Sequence, residues 1–180
     1  MITAEQYHQA VERSSAMLKR AGLVITPEEQ ARFEVADFGL GELEATGLQI
    51  ITYVNTERCC AKEIIMTPRQ TCPQHYHPTV GDVLGKEETF RCRWGTVYLY
   101  VSGEKTPSSA CQPPKGSEPY YTVWKEICLR PGKQYTLMPG TPHWFQAGPE
   151  GAIVSEFSTR STDEADVFTD PRIKRAPEVG

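Results

Sequence analysis

Short apolar runs, separated by turn-forming residues, make up most of the chain from Leu48 onward. Each run is rich in β-branched or aromatic residues, and glycine, proline or asparagine stands between neighbours. Several short strands at regular spacing are typical of an all-β sandwich or barrel. Residues 106–119 are rich in proline and serine and predict a long surface loop between two halves of the sheet. The runs are LQIITYVN, CCAKEIIMTP, TFRCRW, VYLYVSG, YYTVWKEICL, QYTLMPG and GAIVSEFS.

The N-terminal part of the chain instead predicts two helices. Thr3 can cap the first helix, Gln6 completes a capping box, and Gly22 fits its end. Thr26 begins a second, short helix, because proline follows at the first helical position and Glu29 completes another capping box. A glycine-punctuated connector leads from these helices to the strands.

The chain has 180 residues, a length that is most simply one domain. We expect three parts of that domain: a helical segment at residues 1–47, a β-barrel at residues 48–160 and a tail at residues 161–180. A capping box of Ser161 and Glu164 predicts a short helix at the start of the tail. The later tail segment DVFTDPRI could fold over the barrel mouth, but we expect it to lie on the surface.

Charge and composition argue against two classes of partner. The net charge of −4 and the pI near 5.6 leave no basic surface for nucleic acid. No apolar run approaches the roughly 18 residues of a membrane-spanning helix, and the polar N-terminus has no signal-peptide core. We therefore expect a cytoplasmic protein with reduced thiols. The sequence contains no CxxC motif, which argues against a zinc knuckle or a redox motif. The six cysteines are Cys59, Cys60, Cys72, Cys92, Cys111 and Cys128.

Histidines with the spacing of metal ligands are the strongest functional signal. His75 and His77 stand one residue apart in QHYHP, so on a strand both side chains point to the same face. His143 follows in MPGTPHWF, and the segment GKEETFRCRWG supplies a carboxylate. Three imidazoles and one carboxylate suit a first-row divalent metal. Cys72 lies an odd-numbered step before His75, so if the strand already includes it, alternation directs it to the opposite face.

These motifs resemble those of the cupins. The first cupin motif has an HxH pair, then a glutamate, six further residues and a glycine, and here Glu88 is followed at that spacing by Gly95. The second motif, proline, glycine, two residues and histidine, matches residues 139–143. The resemblance implies a cupin β-barrel, also called a double-stranded β-helix or jelly roll. It also implies that the metal ligands are His75, His77, Glu88 and His143.

Two departures from the cupin motif affect its alignment. Arg69 stands where the family usually has glycine, and the stretch between His77 and the glutamate is longer than usual. Glu87 and Glu88 therefore compete for the carboxylate position. The spacing to the glycine favours Glu88, and strand alternation then puts Glu87 on the opposite face and Lys86 on the same face as Glu88.

A closer resemblance, from about Asp37 onward, is to the D-lyxose isomerase family of cupins. It is carried by the segments DFGLGELEATGLQIITYVN, GKEETFRCRWGTVYLYV and MPGTPHWFQAGPEGAIVSEFSTRSTDEADVFTDPRI. The resemblance implies interconversion of D-lyxose and D-xylulose with a divalent metal, usually manganese. It includes Lys86, two residues before the ligand glutamate, and Glu156 on a late strand. It also implies a homodimer.

The residue chemistry fits such a reaction. An octahedral ion with four protein ligands keeps two adjacent open positions, which a sugar with neighbouring oxygens can chelate. The metal would polarise the carbonyl and stabilise an enediolate, so a separate base must move the proton between C1 and C2. Glu156 stands in an apolar strand and is the leading candidate, unless it faces solvent or pairs with Arg160. Lys86 would assist if a nearby cation pushed its amine toward the neutral form; otherwise it is a surface lysine.

Three functions remain open on these grounds. The first is an aldose–ketose isomerase for D-lyxose and D-xylulose, and possibly for D-mannose and D-fructose, using manganese, cobalt, iron, nickel or zinc. The second is a cupin dioxygenase that holds iron or nickel at the same four ligands. A sugar-binding barrel without activity is disfavoured, because mere binding does not need a metal with open positions. Lys86 and Glu156 on inward faces favour the isomerase.

Overall fold

The computed structural model describes residues 2–175, and most of its regular structure is β-strand. Two α-helices come first, α1 (Ala4–Arg20) and α2 (Pro27–Gln30), each with the capping box that the sequence predicts. Two 3-10 turns lie at Glu118–Tyr120 and Asp163–Ala165. The strands are β1 (Glu34–Ala36), β2 (Leu48–Asn55), β3 (Cys60–Met66), β4 (Thr71–Tyr76), β5 (Glu88–Val101), β6 (Lys125–Leu129), β7 (Gln134–Leu137), β8 (His143–Ser158) and β9 (Val167–Phe168).

These strands form one curled antiparallel sheet in which β5 and β8 pair along nearly their whole lengths. The first part of β8 also pairs with β4, and its second part pairs with β3. Strands β1 and β2 extend the β3 side, whereas β6 and β7 pair with opposite ends of β5. The prediction of an all-β, cupin-like barrel with short N-terminal helices is confirmed.

Strands β5 and β8 bend together, and this bend brings their far ends to one mouth of the barrel. Gly95 has φ +69° and Gly151 has φ +87°, in the left-handed region that favours glycine. A Cβ on Gly95 would lie 2.1 Å from the carbonyl oxygen of Gly151. The backbones of the two strands therefore approach each other so closely at Gly95 that a side chain has no room there. The runs TFRCRW and VYLYVSG, which the sequence presents as separate, are the two halves of β5.

Helix α1 packs its apolar stripe on the outer face of the sheet. Met17 and Leu18 are buried against Ile51, Ile65 and Ile153. A separate apolar cluster fills the barrel interior, contributed by both halves of β5 and β8. Neither helix in the described part of the chain has the length and apolar character needed to cross a membrane.

The C-terminal segment covers the barrel mouth, so the expectation of a surface tail is wrong for its described part. We call residues 161–175 the strap. The predicted capping box of Ser161 and Glu164 does not form, since the Ser161 hydroxyl donates to Asp163 and only a short 3-10 turn follows. Strand β9 then pairs with β4, placing Phe168 opposite His75. Residues 176–180 of the predicted tail lie outside the described residues.

Candidate metal centre

Three histidine rings meet at the barrel mouth. His75 lies near the end of β4, His77 follows that strand directly, and His143 begins β8 opposite His75. One ring nitrogen from each histidine lies within 4.8 Å of the other two, and all three side chains are buried. The alternation of β4 thus brings the HxH pair to one face, and the pairing of β4 with β8 adds the third ring.

Each ring is fixed in orientation by its Nδ1 atom. Carbonyl and carboxylate oxygens only accept hydrogen bonds, so each Nδ1 donates, and in the neutral ring Nε2 then carries the lone pair. Metal-binding histidines are commonly oriented in this way. Two of the acceptors are backbone carbonyls two residues earlier in the chain, and the third is a carboxylate of the strap. The bonds run from His75 to Pro73 at 2.8 Å, from His143 to Thr141 at 2.9 Å and from His77 to Asp166 at 2.5 Å.

Glu88 completes the group from the first residue of β5. Its Oε1 atom lies 3.1 Å from Nε2 of both His77 and His143. Although that distance is short, Nε2 of His143 is buried without a hydrogen bond. With every Nδ1 donating, Nε2 of each neutral ring and the Glu88 carboxylate are all acceptors, so either a proton or a cation must lie between them. Three nitrogen donors and one oxygen donor therefore fit a first-row divalent metal. Glu87 is exposed and points away from this group.

Burial and neighbouring charges set the protonation states. Burial, followed by the nearby His143 and His77 rings, lowers the pKa of His75 well below its ordinary value. Burial alone would raise the pKa of Glu88, but Lys86 and the two facing imidazoles hold it well below its ordinary value. Burial likewise opposes the charged form of His77, whereas hydrogen bonds to Asp166 and Glu88 raise its pKa to about 9.

Cys72 lies on the same side as His75, so the prediction that it faces away is wrong. Its Sγ atom is 4.0 Å from Nδ1 of His75, and both residues line the same cavity. The register between β4 and β8 shifts between Cys72 and His75, with Pro73 in the irregular stretch. A bulge inserts an extra residue and so reverses the alternation on which the prediction depended.

Lys86 lies at the centre of a ring of carboxylates beside the imidazoles. Its Nζ atom is 2.8 Å from Glu88, 3.0 Å from Glu156 and 3.3 Å from Asp163. Burial lowers the pKa of Lys86, but these carboxylates outweigh it and raise the pKa well above its ordinary value. The sequence analysis considered only a nearby cation, which would favour a neutral amine. The three carboxylates instead favour the charged form.

Glu156 points into the barrel and is only 3% exposed. Its Oε1 atom accepts hydrogen bonds from Lys86 and from the Ser158 hydroxyl. Arg160, its alternative partner in the sequence analysis, pairs instead with Glu57 at the surface. The buried side chain and its position beside Lys86 are therefore those of a carboxylate held within the site.

Lys62 is a further interior residue that the sequence analysis did not identify. It lies on β3 directly opposite Glu156 on β8, and its Nζ atom donates to Ser161 and Asp163 of the strap. Its neighbours Cys60 and Ile64 on alternate positions of β3 are also buried. The period of two would have placed a lysine on the inner face, and that is a signal available in the sequence.

The strap covers part of a small cavity beside these groups. The Phe168 ring lies 5.2 Å from the His75 ring and 5.5 Å from the Phe38 ring, measured between centroids. The space left inside is about 30 Å³, room for only about two water molecules. Phe145 lines this cavity, whereas its neighbour Trp144 is buried in a separate aromatic cluster, where it stacks on Tyr100.

A larger pocket of about 340 Å³ lies on the other side of Lys62, Asp163 and Arg175. Asp163 forms ion pairs with both basic residues, and all three also line the inner cavity. These long side chains therefore separate the inner cavity from an open, polar pocket.

Comparisons with known proteins identify relatives along the whole chain. The model of the D-lyxose isomerase family matches residues 21–180. The chain is 62% identical over 179 residues to the D-lyxose/D-mannose isomerase of Thermosediminibacter oceani, covering 99% of each chain. It is 58% identical over 174 residues to the D-lyxose ketol-isomerase of Cohnella laeviribosi, covering 97% of this chain and 96% of the relative.

Solved structures of low sequence identity share the fold. The L-ribose isomerase of Acinetobacter sp. DL28, in complex with L-ribose, has a TM-score of 0.79 at 18% identity, covering 96% of this chain and 94% of that one. The ligand-free L-ribose isomerase of Cellulomonas parahominis has the same TM-score at 17% identity and the same coverage. The match to the family model, together with relatives near 60% identity over almost the full length, shows that this chain belongs to the D-lyxose isomerase family, a family of aldose–ketose isomerases.

Proposed function

We propose that the protein interconverts D-lyxose and D-xylulose with a divalent metal, manganese or another first-row ion, held by His75, His77, Glu88 and His143. The observation that carries this proposal is the convergence of three imidazole nitrogens and one carboxylate beside a buried lysine–glutamate pair. Membership of the D-lyxose isomerase family supports the reaction and the substrate.

The metal supplies one part of the chemistry. When bound, a divalent ion polarises the sugar carbonyl and stabilises the negative charge that develops on its oxygen. His75, His77, Glu88 and His143 would hold the ion at the edge of the cavity. The remaining steps, which move protons, fall to side chains of this chain.

Two proton movements convert an aldose into a ketose. C2 loses a proton and C1 gains one, while O2 loses a proton and O1 gains one. We assign the carbon-bound proton to Glu156, whose carboxylate faces the cavity and is oriented by Lys86 and Ser158. We assign the oxygen-bound proton to Lys86, which carries an ammonium group next to the ligand Glu88. Proton transfer by a positioned side chain contributes about 10²–10⁴ in rate.

D-mannose and D-fructose are proposed as a second substrate pair. D-mannose has the same configuration as D-lyxose at C2 and C3, so the reacting carbons present the same atoms to Glu156. The relative from Thermosediminibacter oceani is a D-lyxose/D-mannose isomerase.

The dioxygenase alternative is less well supported. Apolar side chains of the barrel line the cavity beside the imidazoles, but so do the charged side chains of Lys62, Lys86, Glu156 and Asp163. Such groups suit acid–base chemistry on a polar substrate, whereas oxygen activation usually takes place among apolar groups. The family relationship also points to the isomerase.

The proposed setting is a homodimer in a reducing cytoplasm. All six cysteines are free thiols, and four of them are buried. The apolar stripe of α1 packs on the sheet and so is not available for a dimer interface. Exposed apolar side chains remain near the barrel mouth, namely Val80, Val83, Leu84 and Met138. A mass near twice the chain's 20.2 kDa in light scattering would support the dimer.

Glu156→Gln tests the assignment of the base. We expect the variant to lose about 10²–10⁴ in kcat while it keeps its metal and its affinity for D-lyxose, because the amide preserves the shape of the side chain. Glu87→Gln is the matched control, since Glu87 is exposed on the same barrel edge and should leave kcat unchanged. Wild-type enzyme in deuterated water should place solvent deuterium on C1 of D-xylulose.

Two results would contradict this mechanism. If Glu156→Gln stays within about threefold of wild type, well short of the loss expected for a base, another group carries the proton. If wild type forms D-xylulose without solvent deuterium, the hydrogen moves directly between the carbons and the proton transfer through Glu156 is wrong.

A further inference from the structure

We propose that Asp166 is a positioning residue that makes cation binding at the three imidazoles and docking of the strap mutually dependent. The inference rests on the proposed metal site. Asp166 belongs to the strap and is not one of the proposed metal ligands. It holds one of the three ligand rings in position.

Asp166 differs from the other two anchors of the rings. His75 and His143 each donate Nδ1–H to a backbone carbonyl two residues earlier, so those anchors belong to the same strand or turn as the ring. His77 donates to the Asp166 carboxylate, 89 residues away in sequence. The Asp166 side chain is only 7% exposed, so water competes little for this bond. The orientation of one ring therefore depends on where the strap lies.

The strap reaches this position through contacts of its own with the barrel. Asn55 holds its beginning through two hydrogen bonds with the backbone of Ser161. Gln74 accepts a hydrogen bond from the backbone of Thr169 and donates one to its side-chain hydroxyl. These contacts fix the strap on either side of Asp166, so Asp166 meets His77 only when the strap is docked.

The charge of Asp166 adds to its effect on position. A carboxylate hydrogen-bonded to the far nitrogen of an imidazole makes the facing nitrogen a better ligand, and loss of such a partner typically costs about 10–100-fold in metal affinity. Linkage requires the converse: a cation that binds more tightly to the docked form must stabilise docking by the same factor. The cation-loaded protein therefore holds the strap more firmly than the metal-free protein does.

The small volume of the cavity suggests what this coupling does. The space under the strap, about 30 Å³, is far below the roughly 300 Å³ or more of a typical small-molecule site. A sugar therefore requires the strap or its side chains to shift. Coupling through Asp166 favours return of the strap once the cation is in place, and so favours closure over a bound sugar.

The experiment follows manganese binding without sugar. Full-length protein is stripped with a chelator, and its manganese affinity is measured by calorimetry. Hydrogen–deuterium exchange of peptides from residues 161–175 is recorded with and without Mn²⁺. We expect Mn²⁺ to slow exchange in the strap of wild type. Asp166→Ala should bind Mn²⁺ about 10–100-fold more weakly and lose that slowing. Asp166→Asn keeps an acceptor oxygen without the charge and should fall between the two.

Glu164→Gln is the matched control, because Glu164 is an exposed carboxylate of the same strap and should behave as wild type. A thermal unfolding transition for each metal-free variant shows whether that variant is folded. If Asp166→Ala does not fold, the comparison is made with Asp166→Asn. Equal manganese affinity in wild type and both Asp166 variants would overturn the positioning role. Unchanged strap exchange in manganese-loaded wild type would overturn the coupling. Absence of manganese binding in wild type would instead remove the proposed metal site itself.

Discussion

Lys86 supplies the positive charge that offsets the carboxylates around it. Its ammonium group contacts one carboxylate from β5, one from β8 and one from the strap. A buried ammonium without such partners would be strongly disfavoured, and so would the buried carboxylates without it. The lysine also lies between the proposed ligand Glu88 and the proposed base Glu156. It therefore links the metal side of the cavity to the side where protons move.

Lys62 should matter for stability as well as for the shape of the site. Lys62→Met removes the ammonium that pairs with Asp163, while Lys86 and Arg175 still contact that carboxylate. Breaking a buried ion pair costs about 3–5 kcal/mol, and the remaining partners put the expected loss near 3 kcal/mol. The free energy of unfolding in urea measures it.

Arg160→Met is the control for Lys62→Met, because it removes a surface ion pair with Glu57. Exposed pairs contribute about 1 kcal/mol or less. Equal losses in the two variants would show that the burial of Lys62 does not have the energetic consequence we assign to it.

Sequence reasoning found the residues of this site that lie in recognisable strand patterns. His75 and His77, like Lys86 and Glu88, share a face through the period of two, and Glu156 stands out as a charge in an apolar run. Asp166 carries no such signal, because only the folding of the strap onto β4 brings it to His77. The sequence pattern of the strap does not indicate which part of the barrel the strap will contact.

At the scale of elements, irregular stretches caused the errors. The bulge in β4 reversed the face of Cys72, and the strap formed a 3-10 turn and a short strand where a helix was expected. The bend at Gly95 made one long strand appear as two. In contrast, α1, α2 and β2 agree with the sequence prediction, because capping boxes and uninterrupted apolar runs are local signals.

The bend shared by β5 and β8 should tolerate no side chain at Gly95. Gly95→Ala adds a Cβ 2.1 Å from the carbonyl oxygen of Gly151, in addition to the left-handed strain. Gly116→Ala is the matched control, since its φ of +84° imposes the same kind of strain with nothing within 4 Å of the added Cβ. We expect Gly95→Ala to lower the free energy of unfolding by roughly 1–3 kcal/mol more than Gly116→Ala does. Similar losses would mean that the backbone crossing is not tight.

At the scale of the molecule, the parts of the chain converge on one site. The barrel supplies the imidazoles and the buried carboxylates, and the strap supplies Asp163 and Asp166. Helix α1 contributes from outside, because its apolar stripe covers the outer face of β2, β3 and β8. We propose on this basis that residues 1–47, the barrel and the tail form one domain.

We propose that a divalent metal at the three histidines and Glu88 is required for aldose–ketose isomerisation. The most direct measurement is the rate of D-xylulose formation from D-lyxose by chelator-treated protein, before and after addition of Mn²⁺, for wild type and His75→Ala. We predict no measurable product from either metal-free protein, recovery of activity in wild type with Mn²⁺, and no recovery in His75→Ala. Equal rates with and without the metal, or full recovery in His75→Ala, would contradict the claim.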